Sequence, residues 1–260
     1  MSAENVQAAA PLLVAEEVTL GYDRAGPPVV VGASIKVGAG EAVGIVGESG
    51  SGKTTLARGL VGGLMPWSGS ILVNGRSWCD VKRRDPERRS VQMVFQDPYS
   101  ALNPRMTPLA TVIEVRRVVA KATKAEARRQ AVELLERVGL DGSSVGQHVG
   151  RLSGGQRQRV VVARALACDP SVLIADEPTS SLDVSVQAQI LNLLLDLRQE
   201  RGLALVLVTH DLAVLKHLTS YAHVMYQGRI CESASTTQSL EAPEHPYTAE
   251  LVGASHSPLG

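Results

Sequence analysis

The residues Gly47-Glu48-Ser49-Gly50-Ser51-Gly52-Lys53-Thr54 follow the short apolar run Ala42–Val46 and precede Thr55–Leu64, a stretch of helical composition. This pattern, G-x-x-x-x-G-K-[ST] between a strand and a helix, is typical of a phosphate-binding P-loop. We expect its backbone N–H groups to surround phosphate oxygens, Lys53 to reach the β- and γ-phosphates, and the Thr54 hydroxyl to ligate Mg²⁺. The alternative is a glycine-rich turn with an accidental Lys-Thr pair. The predicted nucleotide-binding set here is Gly47, Glu48, Ser49, Gly50, Ser51, Gly52, Lys53, Thr54 and Thr55.

Two adjacent carboxylates end a second apolar run, Val172–Ala175. In open α/β folds, ligands bind at the carboxyl ends of the parallel strands, so acids at this position indicate a site. Asp176 is expected to hold Mg²⁺, and Glu177 to orient and deprotonate the attacking water. The alternative is an aspartate that only caps the following helix, a role for which Asp183 is the better candidate.

Apolar patterning along the chain predicts an α/β fold whose core contains the P-loop. Leu12–Leu20 is predicted to form the first strand. The continuous apolar runs Val172–Ala175 and Leu203–Val208 are typical of buried parallel strands, and a helix is expected between them over Val184–Arg201, ended by Gly202.

A separate helical subdomain is predicted to be inserted in this core. Prolines at 98, 104 and 108 precede a region with helical periodicity, in which Thr123–Glu126 forms a capping box. The apolar stripe of the following helix consists of Ala127, Ala131, Leu134, Leu135 and Val138. The predicted division is a disordered tail (1–11), a nucleotide-binding core (12–96 and 168–232), the helical subdomain (97–167) and a polar, irregular C-terminal tail (233–260).

Composition limits the class of function. The chain has 26 Lys+Arg and 26 Asp+Glu, so no overall charge attracts nucleic acid or anionic lipid. The three cysteines are far apart, which does not support a disulfide framework or a metal site. The N-terminus does not fit a signal peptide, and no apolar run approaches the roughly 18 residues of a membrane-spanning helix. We therefore expect a reducing cytoplasm as the compartment, and any membrane role to act through partners.

The run Leu152-Ser153-Gly154-Gly155-Gln156 narrows the class of P-loop protein. Ser153 and Gln156 form a capping box, so a well-capped helix start is the simplest interpretation. Two consecutive glycines at a helix N-terminus also expose N–H groups, which predicts a second anion site in the same chain.

This run resembles the LSGGQ signature of the ATP-binding cassette (ABC) family, and other elements of that family follow in order over roughly residues 13–250. The resemblance implies an α/β fold with a P-loop (RecA-like) mixed sheet core, an inserted α-helical subdomain and an N-terminal antiparallel β element. It also implies a head-to-tail dimer with two ATP molecules, in which the signature loop of one subunit completes the P-loop site of the other. The implied nucleotide contacts from this loop are Ser153, Gly154, Gly155 and Gln156.

Further residues take their roles from the same resemblance. Tyr22 resembles the aromatic residue that stacks on adenine, although stacking platforms are generic and a turn tyrosine is the alternative. Gln96 resembles the Q-loop glutamine that contacts Mg²⁺ or the water. Ser180–Asp183 resembles the D-loop, with Asp183 near the nucleotide, and His210 resembles the switch histidine at the γ-phosphate. The predicted catalytic residues are thus Glu177, His210, Gln96 and Lys53, and the predicted metal ligands are Thr54, Gln96 and Asp176.

Two other sets of polar residues, five histidines and three arginines, are predicted to have structural and not functional roles. The remaining histidines lack metal-ligand spacing and are expected in solvated or capping positions; they are His148, His217, His223, His245 and His256. Arg157, Arg159 and Arg164 are most simply explained as a solvated basic face.

A narrower resemblance joins Val94–Arg105 and His245–Thr248 to the dipeptide, oligopeptide and nickel importer branch. It implies two membrane permease subunits, a second ATPase subunit, an indirect role for a solute-binding protein, and a place on the cytoplasmic face of the membrane. This branch usually pairs two different ATPases, so a paralogue is the expected second subunit and an identical copy is the alternative. Tyr99, Ala101 and Leu102 are predicted to line a permease-docking groove. The alternative function is a non-transport cassette of the phosphonate-metabolism type, and a nucleic-acid-linked cassette is disfavoured by the zero net charge.

Overall fold

The computed structural model describes residues 10–119, 121–140, 142–179 and 182–256. Residues 1–9 of the predicted N-terminal tail lie outside these ranges, as do Ser180 and Ser181 of the predicted D-loop. The described strands are β1 (Leu13–Leu20), β2 (Val30–Val37), β3 (Ala42–Val46), β4 (Ser68–Val73), β5 (Arg76–Ser77), β6 (Val91–Val94), β7 (Val172–Asp176), β8 (Ala204–Thr209), β9 (Tyr221–Tyr226) and β10 (Arg229–Ser235).

The strands form two sheets. The smaller is antiparallel, with the order β2-β1-β4-β5, and it confirms the predicted N-terminal antiparallel element. The larger has the order β10-β9-β3-β8-β7-β6. Its strands run parallel except for β10, which pairs antiparallel with β9 at one edge. The predicted mixed sheet is therefore confirmed.

Helices flank the larger sheet and fill the interval between β6 and β7. The described α-helices are α1 (Lys53–Leu60), α2 (Glu87–Ser90), α3 (Pro98–Ala101), α4 (Pro108–Val119), α5 (Lys124–Arg137), α6 (Gly142–Gly146), α7 (Gly154–Leu166), α8 (Val184–Arg201), α9 (Leu212–Leu218), α10 (Thr236–Glu241) and α11 (Pro246–His256). Helices α3 to α7 are the predicted helical insertion. The division at residues 97 and 168 stays a prediction.

Capping residues set the helix boundaries where the sequence predicted them. The Thr123 side chain accepts a hydrogen bond from the Glu126 amide at the start of α5. Asp183 does the same for the Val186 amide at the start of α8, and that helix ends at Gly202, whose φ of 61° suits glycine.

Three apolar clusters hold the elements together. One lies between the two sheets and α1 and includes Trp78, whose indole donates to the Leu60 carbonyl. A second joins the helical insertion to the other face of the larger sheet and contains four of the five residues of the predicted α5 stripe, Ala131, Leu134, Leu135 and Val138; the fifth, Ala127, is buried as well. The third joins α9, β9 and α11 to Val46, at the end of β3. The residue directly before the P-loop is therefore packed against both β9 and the C-terminal helix.

The prediction of an irregular C-terminal tail is wrong for residues 233–256. This segment completes β10 and forms α10 and α11. Its prolines suggested a break, but Pro246 is the first residue of α11, where a missing N–H costs nothing. Ser235 caps α10 by accepting from the Gln238 amide.

The interpretations of the arginine face and of the remaining histidines are each wrong in part. Arg157 is buried, and it donates to the carbonyls of Val149 and Gly150 while stacking on the Tyr99 ring. Arg159 is half-buried and donates to the Val138 carbonyl, and Arg164 is exposed and donates to the Ala101 carbonyl. The interpretation as a solvated face is therefore wrong for Arg157 and holds for Arg164. His223 is buried in β9, 2.7 Å from the Ser233 hydroxyl.

Candidate nucleotide-binding site

The predicted catalytic residues meet at one edge of the larger sheet because they follow neighbouring parallel strands. The P-loop follows β3, His210 follows β8, Asp176 ends β7, and Gln96 comes two residues after β6. The pairings Val46–Thr209, Asp176–Val208 and Val94–Ala175 bring the ends of the strands level. This is the edge at which open α/β sheets bind ligands.

The P-loop is closed around the Lys53 ammonium. Gly52 precedes α1 with a φ of 104°, a conformation that strains any residue with a Cβ. Nζ of the buried Lys53 donates to the Gly47 and Glu48 carbonyls, at 2.7 Å each. Burial lowers the pKa of Lys53, and the nearby carboxylates of Glu177, Asp176 and Glu48 oppose that shift. The loop thus holds a cation beside the amides that start α1.

Asp176 and Thr54 supply oxygen atoms suited to a hard divalent cation. The Thr54 hydroxyl lies 3.3 Å from Oδ1 of Asp176. Burial raises the pKa of Asp176, and the charge of Glu177 adds to this effect, whereas the Thr54 hydrogen bond opposes it. A buried carboxylate of this kind is stabilised in its ionised form by a cation. One carboxylate, one hydroxyl and substrate phosphates match the way Mg²⁺ is bound in P-loop proteins.

The Glu177 carboxylate is held on both oxygens. Nε2 of Gln96 donates to Oε2 at 2.9 Å, and Nδ1 of His210 lies 2.9 Å from Oε1. Glu177 also has a φ of 44°, which is uncommon for a residue other than glycine. Such strain is typical of functional positions, where surrounding contacts fix the backbone. Three of the four residues that the sequence placed in catalytic roles, Glu177, Gln96 and His210, therefore form one hydrogen-bonded group.

A pocket of about 280 Å³ opens between this group and the P-loop. Its lining contains Ser49, Gly50, Gly52, Lys53, Thr54, Thr55, Gln96 and Glu177, all from the predicted set. Val29 also lines the pocket, and the sequence gave no reason to single out this apolar residue before β2.

Tyr22 and the signature residues lie outside this lining. Tyr22 is 60% exposed, and its hydroxyl lies 3.2 Å from the Thr55 hydroxyl, so its ring is open to solvent beside α1. Ser153 and Gln156 form a full capping box at the start of α7. A Cβ on Gly155 would lie 2.4 Å from Cγ1 of Val186, which explains why glycine is required there. Asp183 caps α8, the capping role for which the sequence made it a better candidate than Asp176.

The comparisons with known proteins agree with this geometry. The family model described as ABC transporter matches residues 30–180. The chain belongs to the ABC transporter family. A probable peptide ABC transporter ATP-binding protein of Sinorhizobium fredii is 44% identical over 246 residues, which are 93% of this chain and 70% of that protein. An oligopeptide transport ATP-binding protein of Bacillus subtilis is 43% identical over 219 residues, 83% of this chain and 72% of that protein.

The chain is also similar to a solved structure that contains a bound nucleotide. A dimeric ATP-binding cassette in a post-hydrolysis state, bound to ADP and Pi, matches with a TM-score of 0.78 and 28% identity, covering 86% of this chain and 98% of that one. This ABC protein is thus an ATP-binding ATPase, as the sequence predicted. No helix of the described ranges is long and apolar enough to cross a membrane.

Proposed function

We propose that this ABC protein hydrolyses MgATP to drive a peptide importer. The observation that carries the proposal is the Glu177 carboxylate fixed by Gln96 and His210 beside the P-loop. The relatives named for peptide and oligopeptide transport support the substrate class. A related small solute, nickel or a metal chelate is the alternative transported substrate, because importers of this branch also take up such solutes.

Each residue of the site has a task in this reaction. P-loop amides and Lys53 bind the phosphates, and Thr54, Asp176 and Gln96 would hold Mg²⁺, which neutralises charge on the phosphates when bound. Glu177 orients the water and accepts its proton, while His210 fixes that carboxylate and reaches the γ-phosphate. Tyr22 offers its exposed ring to the adenine.

The positions of the two glycine loops support a head-to-tail dimer. Ser153, Gly154, Gly155 and Gln156 do not line the pocket beside Lys53 in the described part of the chain. The similarity to a dimeric ATP-binding cassette supports a second subunit that presents its own signature loop there. Asp183 caps α8, and Val186 of the same helix packs against Gly155 of the signature run. The proposal therefore places Asp183 at the same interface. The resemblance to the importer branch favours a paralogue over an identical copy as this second subunit.

A groove in the helical insertion supports docking of a permease. It has a volume of about 480 Å³ and lies between β6, α4 and α7, with Phe95, Met106 and Val118 in its lining. Phe95 directly precedes Gln96, so a partner in the groove would contact the residue next to the catalytic group. Two permease subunits, one for each ATPase subunit, would place the protein on the cytoplasmic face of a membrane, with a solute-binding protein acting indirectly.

The burial of the groove residues decides which substitutions can test permease docking. Of the three residues predicted to line the groove, Ala101 and Leu102 do so and Tyr99 does not. Leu102 is only 7% exposed and belongs to the core of the helical insertion, and Tyr99 stacks on Arg157. A charge at Leu102 would therefore disturb folding. Val118 is 74% exposed and lines the groove, whereas Ala110 is exposed on the same helix outside the lining.

The experiment compares Val118→Glu with Ala110→Glu in cells that carry only the variant. Uptake of a labelled dipeptide is expected to be lost in Val118→Glu and kept in Ala110→Glu, while both purified proteins bind ATP as the wild type does. Normal uptake with Val118→Glu would contradict the docking proposal. Association of the wild type with soluble enzymes and no membrane subunit would favour the non-transport alternative.

A further inference from the structure

The C-terminal helix α11 contacts the P-loop through a tyrosine that is distant in sequence. The backbone N–H of Glu48 donates to the Tyr247 hydroxyl at 3.0 Å. This contact joins residues 199 positions apart. Glu48 is the second residue of the P-loop, so the C-terminal helix meets the loop where it leaves β3.

Packing and hydrogen bonds hold Tyr247 in this place. Its side chain is 7% exposed and belongs to the apolar cluster that contains Val46, the last residue of β3. Its ring lies 4.2 Å from the Tyr226 ring, measured between centroids. The start of α11 is anchored to β10, because the Glu232 carboxylate accepts from the backbone amides of Glu244 and His245.

Both backbone polar groups of Glu48 are therefore hydrogen-bonded. Its N–H donates to Tyr247, and its carbonyl accepts from the Lys53 ammonium. The neighbouring carbonyl of Ser51 accepts from the Gly228 amide in the turn between β9 and β10. Burial raises the pKa of Tyr247, so its hydroxyl stays neutral at physiological pH.

We propose that Tyr247 is a positioning residue for the P-loop, through which α11 sets the affinity of the chain for the phosphates of a nucleotide. The cradle depends on backbone amides with fixed directions. A loop already fixed in its binding conformation loses less entropy when the nucleotide arrives. Because Tyr247 acts on the cradle, its loss weakens ATP and ADP alike and leaves the chemical step in place.

The test replaces Tyr247 with Phe in the full chain and keeps the aromatic packing. A net hydrogen bond contributes about 0.5–1.5 kcal/mol, so the Kd values for ATP and ADP are expected to rise about 2- to 10-fold. At saturating MgATP the kcat is expected to stay within about twofold of the wild type, the signature of lost uniform binding. Hydrogen exchange at the Glu48 amide is expected to accelerate.

The matched control is Tyr226→Phe. The Tyr226 hydroxyl accepts from the Gln227 side chain and the ring stacks on Tyr247, so this variant loses a hydroxyl from the same pair of rings and is expected to keep the wild-type Kd. A purely structural Tyr247 would lower the melting temperature of Tyr247→Phe and leave the Kd unchanged at temperatures where the protein is folded.

An unchanged Kd, or an equal rise in Tyr226→Phe, would overturn the proposal. The proposal rests on ATP binding at the P-loop, which Lys53→Ala tests separately. Failure of the wild type to bind ATP would contradict the ATPase assignment instead.

Discussion

Removal of the His210 imidazole is expected to slow hydrolysis more than it weakens ATP binding. An ionised carboxylate only accepts hydrogen bonds, so Nδ1 of His210 carries the proton that faces Glu177. A hydrogen bond to a charged group contributes about 1.5–3 kcal/mol, and the 57% exposure of the His210 side chain places this one at the lower end. Since roughly 1.4 kcal/mol is a factor of ten in rate, His210→Ala should lower kcat about tenfold or more.

The assay measures phosphate release at saturating MgATP, with Kd for ATP and melting temperature determined on the same samples. His210→Asn keeps an N–H donor on a shorter side chain and is expected to retain part of the activity. His217→Ala is the matched control, because His217 is exposed on α9, the helix that follows. A kcat for His210→Ala within about twofold of the wild type would refute the reasoning, and so would an equal loss in His217→Ala.

Two other predictions concern the second anion loop and a buried histidine. Ser153→Ala and Thr123→Ala both remove a helix N-cap, which costs about 1 kcal/mol of stability; only Ser153→Ala should abolish ATP turnover, and equal turnover in the two variants would contradict the shared site. Burial lowers the pKa of His223 from 6.5 to about 4, so the unfolded chain binds this proton first as the pH falls. Urea unfolding should show the wild type losing about 2 kcal/mol more than His223→Gln between pH 8 and pH 5, and parallel losses would contradict a neutral buried His223.

Much of the site was predictable because buried parallel strands leave a clear pattern. Continuous apolar runs identified β3, β7 and β8, and polar residues directly after such runs are costly unless they bind something. The P-loop and the pair Asp176-Glu177 were therefore found from short segments alone.

The geometry that unites these segments was not predictable from them. Gln96 and His210 hold the same carboxylate only because β6, β7 and β8 are neighbours in the sheet, and strand order does not follow from local patterns. The same limit applies to the contact between Glu48 and Tyr247. Local sequence also could not show that Leu102 faces the core while Val118 is open to solvent.

The most direct test of the catalytic assignment is the turnover of Glu177→Gln. The amide keeps the size of the side chain but cannot accept the proton of the attacking water. Kd for ATP is expected to match the wild type, kcat to fall at least about 100-fold as for loss of a general base, and the dimer to persist with ATP in gel filtration. Hydrolysis at a near-normal rate in Glu177→Gln would contradict the role of Glu177 as the base.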